Sequence, residues 1–225
     1  MKTLYRITTL SGFLLAGLIG CTDQGKTPPT APGVIANSLS VGLDTVFTFP
    51  QDTVLLTIQG GTPPYSVAPP TSSAQCSITD STLTIVGSSI GSAIASITDA
   101  SSPAHAVDLP IIVGTAVSFS NSIQTIFVSQ YGCSGTVGGC HGGTMNLFLE
   151  SAPVSYQNLV NVPAQSAGFI GYKRVAPRNL ANSLLYKRLS SNDPAISMPQ
   201  GRTNPFDPAY LNSVRTWILQ GARFN

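Results

Sequence analysis

The sequence predicts a β-sandwich followed by a mostly α-helical domain. Three observations carry this. Residues 33–116 hold short β-branched and aromatic runs separated by Gly/Pro turns. From Asp207 onward, apolar residues recur at three- and four-residue steps. Charge divides between the halves: residues 21–116 carry one base against six acids, whereas 117–225 carry eight bases against three acids. With 225 residues, of which 42% are hydrophobic and 9% charged, the chain is long enough for one large or two modest domains.

Residues 1–20 read as an export leader. Lys2 and Arg6 supply the positive start, and the apolar run 10–19 is too short to span a bilayer comfortably. The run ends Leu18-Ile19-Gly20-Cys21. This resembles the lipobox of bacterial lipoproteins, which implies cleavage before Cys21, its acylation and a membrane anchor. Thr22 follows, where Asp favours inner-membrane retention in enteric bacteria, so the resemblance favours the outer membrane. Residues 21–32 then form a Pro/Thr-rich tether with no means of burying a core. A mature chain outside the cytoplasm permits disulfides.

Residues 33–116 contain the predicted strands 46–49, 54–58, 83–86, 93–98 and 109–113, with a strong turn at Gly60-Gly61-Thr62-Pro63-Pro64-Tyr65. That turn, followed later by Ala95-Ser96-Ile97-Thr98-Asp99-Ala100, resembles bacterial immunoglobulin-like repeats of surface proteins. An all-β immunoglobulin-like sandwich serving as spacer or adhesive module is the expectation. Cys76 reads as a small buried hydrophobe and His105 as an exposed loop histidine.

In residues 117–225, helices are predicted over 122–130, 155–160 and 182–189. The strongest begins at Asp207-Pro208, an N-cap followed by a proline at the first helical position. It carries Leu211, Val214 and Ile218 on one face and stops at Gly221. Chemistry concentrates at Cys133 and Cys140-His141, with six residues between the cysteines. The residues leave several readings open: haem attachment through both thiols or through Cys140 alone, a Cys133–Cys140 disulfide without haem, or another metal. The metal reading is weakened by having only three ligands.

Ile123-Gln124-Thr125-Ile126-Phe127, Cys140-His141-Gly142-Gly143, Arg174-Val175-Ala176-Pro177, the 182–189 stretch, Met198-Pro199 and Trp217-Ile218-Leu219-Gln220-Gly221-Ala222 occur in that order. Together they resemble the class I cytochrome c-like domains of bacterial lipoproteins. The resemblance implies one covalent haem c on Cys133 and Cys140, with His141 and Met198 as axial iron ligands and Met145 as a rival to Met198. It also implies Arg174 as a propionate partner. The implied function is electron transfer with a redox partner protein, without catalysis of its own, and with the membrane reached through Cys21. The alternative is a haemless surface lipoprotein acting as a structural or binding module. A redox enzyme subunit or gas sensor is a third reading, should Met198 leave the iron open. The remaining bases read as solvated, or as a docking face for an acidic partner. Nothing suggests nucleic-acid binding, and no Ser/His/Asp set or paired carboxylates point to an enzyme.

Overall fold

Alternation of side chains builds the first half of the molecule. Seven strands form: β1 Val46–Thr48, β2 Thr53–Thr57, β3 Ser66–Ala68, β4 Ala74–Thr79, β5 Thr82–Gly87, β6 Gly91–Thr98 and β7 Ala106–Val113. In β6 and β7, Ala93, Ala95, Ile97, Leu109, Ile111 and Val113 point inward and are buried, whereas Ile94 and Ile112 point outward. This is the period-two pattern of a half-buried sheet. The computed structural model describes residues 38–225 apart from 69, 71–72, 134–139, 143–146 and 203, and all of these fall in one compact unit, 36–225. The leader, Cys21, the whole tether and Met145 lie outside the described residues.

The strands assort into two sheets, ordered β1-β7-β6-β3 and β2-β5-β4. β1 runs parallel to β7, with Val46 opposite Ile111. The other pairs are antiparallel, among them β6 with β7 from Gly91↔Val113 to Thr98↔Ala106. Val46, Val54, Leu83, Ile85, Ile97 and Leu109 fill the space between the sheets. Cys76 packs at the edge of this core, half-buried, and burial pushes its thiol up to about 11. It is thus an uncharged space-filler.

The second half corrects the expected fold class. It is not a cytochrome c-like α domain. Two π-helical turns, Phe119–Ile123 and Ile126–Gln130, stand where one helix over 122–130 was predicted. Ile123, Ile126 and Phe127 are buried as their spacing requires, but β-branched and Ser residues give this segment weak α propensity. Three short helices follow: α1 Ala152–Leu159, α2 Leu184–Ser190 and α3 Pro208–Leu219. Isolated bridges such as Val160 with Val175 and Lys173 with Ser183 hold the irregular chain between α1 and α2. Among the described residues strand exceeds helix, 26% against 22%, so the molecule is a β-rich sandwich with a helical layer.

α3 organises that layer. Asp207 caps it, its carboxylate accepting from the Ala209 N–H at 2.7 Å. Trp217, 1% exposed, packs 5.0 Å from the Phe119 ring, and its indole N–H donates to the Arg223 carbonyl. The Gln220 side chain clamps the connection from the sandwich. It accepts from the Val117 N–H at 3.0 Å and donates to the Thr115 carbonyl at 2.8 Å.

Candidate functional site

Three backbone hydrogen bonds bring the chemically distinctive residues together. The Phe127 carbonyl accepts from the Cys133 N–H at 2.8 Å, the Cys133 carbonyl from the His141 N–H at 3.1 Å, and the His141 carbonyl from the Leu149 N–H at 3.0 Å. The chain after the second π turn is thereby folded back on itself, with Cys133 beside Cys140-His141. Buried Gln124 braces this arrangement by donating to the Leu149 carbonyl at 3.0 Å.

The fold-back forms one wall of a cavity of about 420 Å³, within the size range of small-molecule sites. Phe127, Leu149, Leu159 and Leu184 supply apolar surface. Cys133, Cys140, His141, Arg174 and Met198 all line this one cavity, so five positions singled out in the sequence converge. Met198 is placed by its N–H donating to the Arg188 carbonyl at 3.0 Å.

The electrostatics are specific. Among the described residues, His141 Nδ1 is buried with no hydrogen-bond partner. Its pKa is pushed below the ordinary value, mainly by desolvation and also by the positive charges of Arg174 and Arg188, against a raising effect of the Leu147 carbonyl. The imidazole is therefore neutral at pH 7 and presents a lone pair. Burial, reinforced by the neighbouring Cys140, pushes the Cys133 thiol up to about 11, which leaves it protonated and a weak nucleophile. Arg174 donates to the Asn158 carbonyl at 2.9 Å, and Arg188 donates to the Ile196 carbonyl at 3.1 Å while lying over the Phe169 ring. Both guanidinium groups are partly desolvated.

By sequence alone Arg188 is a solvated or docking base, and the structure places it at the cavity. A signal was present: Leu184, Leu185, Arg188 and Leu189 fall at one-, three- and four-residue steps on α2 and line the cavity together. Tyr131 and Phe206, stacked at 4.4 Å beside the cavity, carried no recognisable sequence signal.

A second polar cluster sits in the sandwich. His105, expected as a loop histidine without partners, meets the fully buried Asp99 carboxylate at 3.2 Å and Ser101 Oγ at 2.9 Å. Both address the same ring nitrogen, Nδ1, so Ser and Asp do not flank the imidazole as a nucleophile relay requires. The cluster is structural. Asp99 also accepts from the His105 N–H at 2.7 Å and the Thr62 N–H at 2.9 Å. Hydrogen bonds, first from the Ser101 hydroxyl, hold its carboxyl well below the usual carboxylate range. A group whose folded pKa is depressed stabilises the fold above its unfolded pKa, and that stability is lost as pH falls through the folded value. Asp99→Asn should lower the urea midpoint at pH 7. It should also flatten the decline of that midpoint below about pH 4. Parallel curves for the two proteins would assign the acid sensitivity elsewhere.

No family model and no curated protein matches the chain. Solved structures match in part. Domains 4 and 5 of the S-layer protein SbsC are 17% identical over 35% of this chain and 51% of theirs, with a TM-score of 0.29. Domains 5-6 of the same protein are 19% identical over 36% and 48%, with a TM-score of 0.29. Domains EC1-3 of a gamma protocadherin are 16% identical over 38% of each chain, with a TM-score of 0.26. The chain spans about half the length of the S-layer fragments it matches.

The expected family is therefore corrected. The helical layer is not a cytochrome-like α domain, and no group of three or more His, Cys, Asp or Glu among the described residues could hold a metal ion. The class I cytochrome c expectation is overturned as family and as fold class by this β-rich architecture. The disulfide of the alternative reading is not formed in this structure, where Cys133 and Cys140 are free.

Proposed function

We propose that the chain is an exported or surface binding protein whose helical layer holds a mainly apolar ligand bearing acidic groups. The observation that carries this is the cavity itself. Two partly desolvated arginines and a buried His141 nitrogen, without a partner among the described residues, face one apolar space of about 420 Å³. Apolar walls favour an apolar body, and guanidinium groups favour carboxylates through charge-assisted hydrogen bonds. The neutral imidazole adds a lone pair for a polar hydrogen or an electron-poor centre. Cys21, with the leader before it, supports a lipid-anchored location, and the S-layer and cadherin neighbours accord with a surface protein.

The test is a titration of the full chain with protoporphyrin IX, its dimethyl ester and haem, read by quenching of Trp217, the single tryptophan. Saturable quenching is expected, with the free diacid binding more tightly than the ester. Absence of saturation with every probe would overturn the reading, and equal affinities would remove the acidic group from it. Haem and electron transfer, expected from the sequence, are tested in the same titration. A reversible spectral change on reduction and reoxidation would support them, and a silent haem arm would end them.

A further inference from the structure

The segment after α1 presents an apolar residue to solvent on a rigid support. The Arg174 N–H donates to the Val162 carbonyl at 2.7 Å, and the Ala164 N–H to the Tyr172 carbonyl at 2.8 Å, so 162–174 closes as a hairpin-like loop. Two successive tight turns form its end. The Phe169 N–H donates to the Ser166 carbonyl at 3.0 Å, and the Tyr172 N–H to the Phe169 carbonyl at 3.1 Å. Each turn has glycine at its third position with positive φ, Gly168 at 81° and Gly171 at 95°, as type II turns demand. Ile170 therefore sits at an apex and is 86% exposed, the most exposed large hydrophobic among the described residues.

The surroundings of that apex are aromatic and basic. Phe169 and Tyr172 meet edge to face at 5.8 Å. Lys187 lies 5.4 Å from the Tyr172 ring and Arg188 5.1 Å from Phe169. Lys173 is adjacent, donating to the Asn161 side chain at 2.8 Å. No acid occurs in the sequence between Glu150 and Asp193, the stretch that supplies Lys173, Lys187 and Arg188. An apolar apex, an aromatic girdle and the neighbouring bases Lys173, Lys187 and Arg188 together match the layered chemistry of a bilayer surface: acyl boundary, interface and anionic headgroups.

We propose that the loop end Gly168–Gly171 docks on an anionic lipid surface, with Ile170 entering the interface and Lys173 and Lys187 meeting the headgroups. Ile170, Lys173 and Lys187 do not line the cavity, so this surface is separable from the ligand site. One isolated basic contact at an anionic membrane strengthens binding about fivefold, and burial of an isoleucine side chain strengthens it about tenfold or more.

The test is flotation of the full chain carrying Cys21→Ser, which removes the expected acylation, on phosphatidylcholine vesicles with and without phosphatidylglycerol. Every variant shares this background, so leader binding cancels in the comparison. Binding should be tighter on the anionic vesicles and weaken with salt. Ile170→Ser should reduce it about tenfold, and Lys173→Gln with Lys187→Gln should remove most of the salt dependence, both without changing protoporphyrin binding. Ile170→Trp should fluoresce at shorter wavelength on anionic vesicles only. Unchanged flotation of Ile170→Ser, or an unshifted Ile170→Trp, would overturn the proposal. So would self-association of the parent that Ile170→Ser abolishes, because the apex would then belong to a second copy.

Discussion

Replacing Arg174 and Arg188 together with glutamine should weaken binding of a free diacid such as protoporphyrin IX by about a hundredfold or more, and leave its dimethyl ester nearly unaffected. A hydrogen bond to a charged group contributes about 1.5–3 kcal/mol, and each 1.4 kcal/mol is a factor of ten. The cavity raises that weight, since both guanidinium groups are partly desolvated before any ligand arrives. Glutamine removes the charge and keeps an amide donor, with a side chain that ends near the Nε position of the arginine it replaces. His141 gives a second readout. Its folded pKa lies below the ordinary 6.5, so binding through its free nitrogen should persist as pH falls past 6.5 and fail lower, once the imidazole protonates. Relief of repulsion from the two arginines in the double variant should move that loss to higher pH. Equal weakening of diacid and ester would show that the arginines shape the cavity instead of pairing with acidic groups.

Much of the sandwich was legible because its code is local. The inward set Ala93, Ala95 and Ile97 is visible as alternation in β6, and the turn at 60–65 is marked by Gly and Pro. β3 and β4 were missed. β3 spans three residues, and β4 is Ala-Gln-Cys-Ser-Ile-Thr, which buries only Ala74 fully and carries too weak an alternation to read. In the second half Asp207-Pro208 announced α3 correctly, because a cap is also local chemistry. The helix over 122–130 failed in detail because apolar spacing fixes which face is buried but not which carbonyl each N–H selects. At the site, Cys140-His141 and Met198 stood out by residue type. The convergence of Arg188 with Arg174 depends on long-range packing of α2, to which a base count is blind. The charge asymmetry was read as two different surfaces, whereas part of it is a bond. Asp52 of the acidic half is held by Arg178 and Arg223 of the basic half.

That bond supports the largest stability prediction. Asp52→Ala should destabilise the protein by about 3–5 kcal/mol, the usual cost of removing one partner from a buried ion pair. Against a total of about 5–15 kcal/mol for a typical protein, this is a large fraction. The Asp52 side chain is 6% exposed. It accepts from Thr48 Oγ1 at 2.9 Å and from Arg223 at 2.9 Å, with Arg178 at 3.6 Å. Arg223 is half-exposed, and water would resolvate it after the substitution. Arg178 is the costly residue. Its side chain is 17% exposed, and its guanidinium also donates to the Phe47 carbonyl at 2.7 Å and the Leu219 carbonyl at 3.2 Å, so it spans the sandwich and the end of α3. Without Asp52 it remains anchored by those carbonyls and cannot reach solvent, and desolvation already lowers its pKa. Asp52→Ala with Arg178→Met should therefore recover much of the loss, because the stranded charge leaves together with its partner. Urea unfolding followed by Trp217 emission for the helical layer and by far-ultraviolet dichroism for the sheets separates the outcomes. Coincident transitions are expected in the parent, with Trp217 leading in Asp52→Ala as the helical layer detaches first. If Asp52→Ala shifts both probes equally, the loss lies in the Thr48 turn inside the sandwich and not in the bond between the halves.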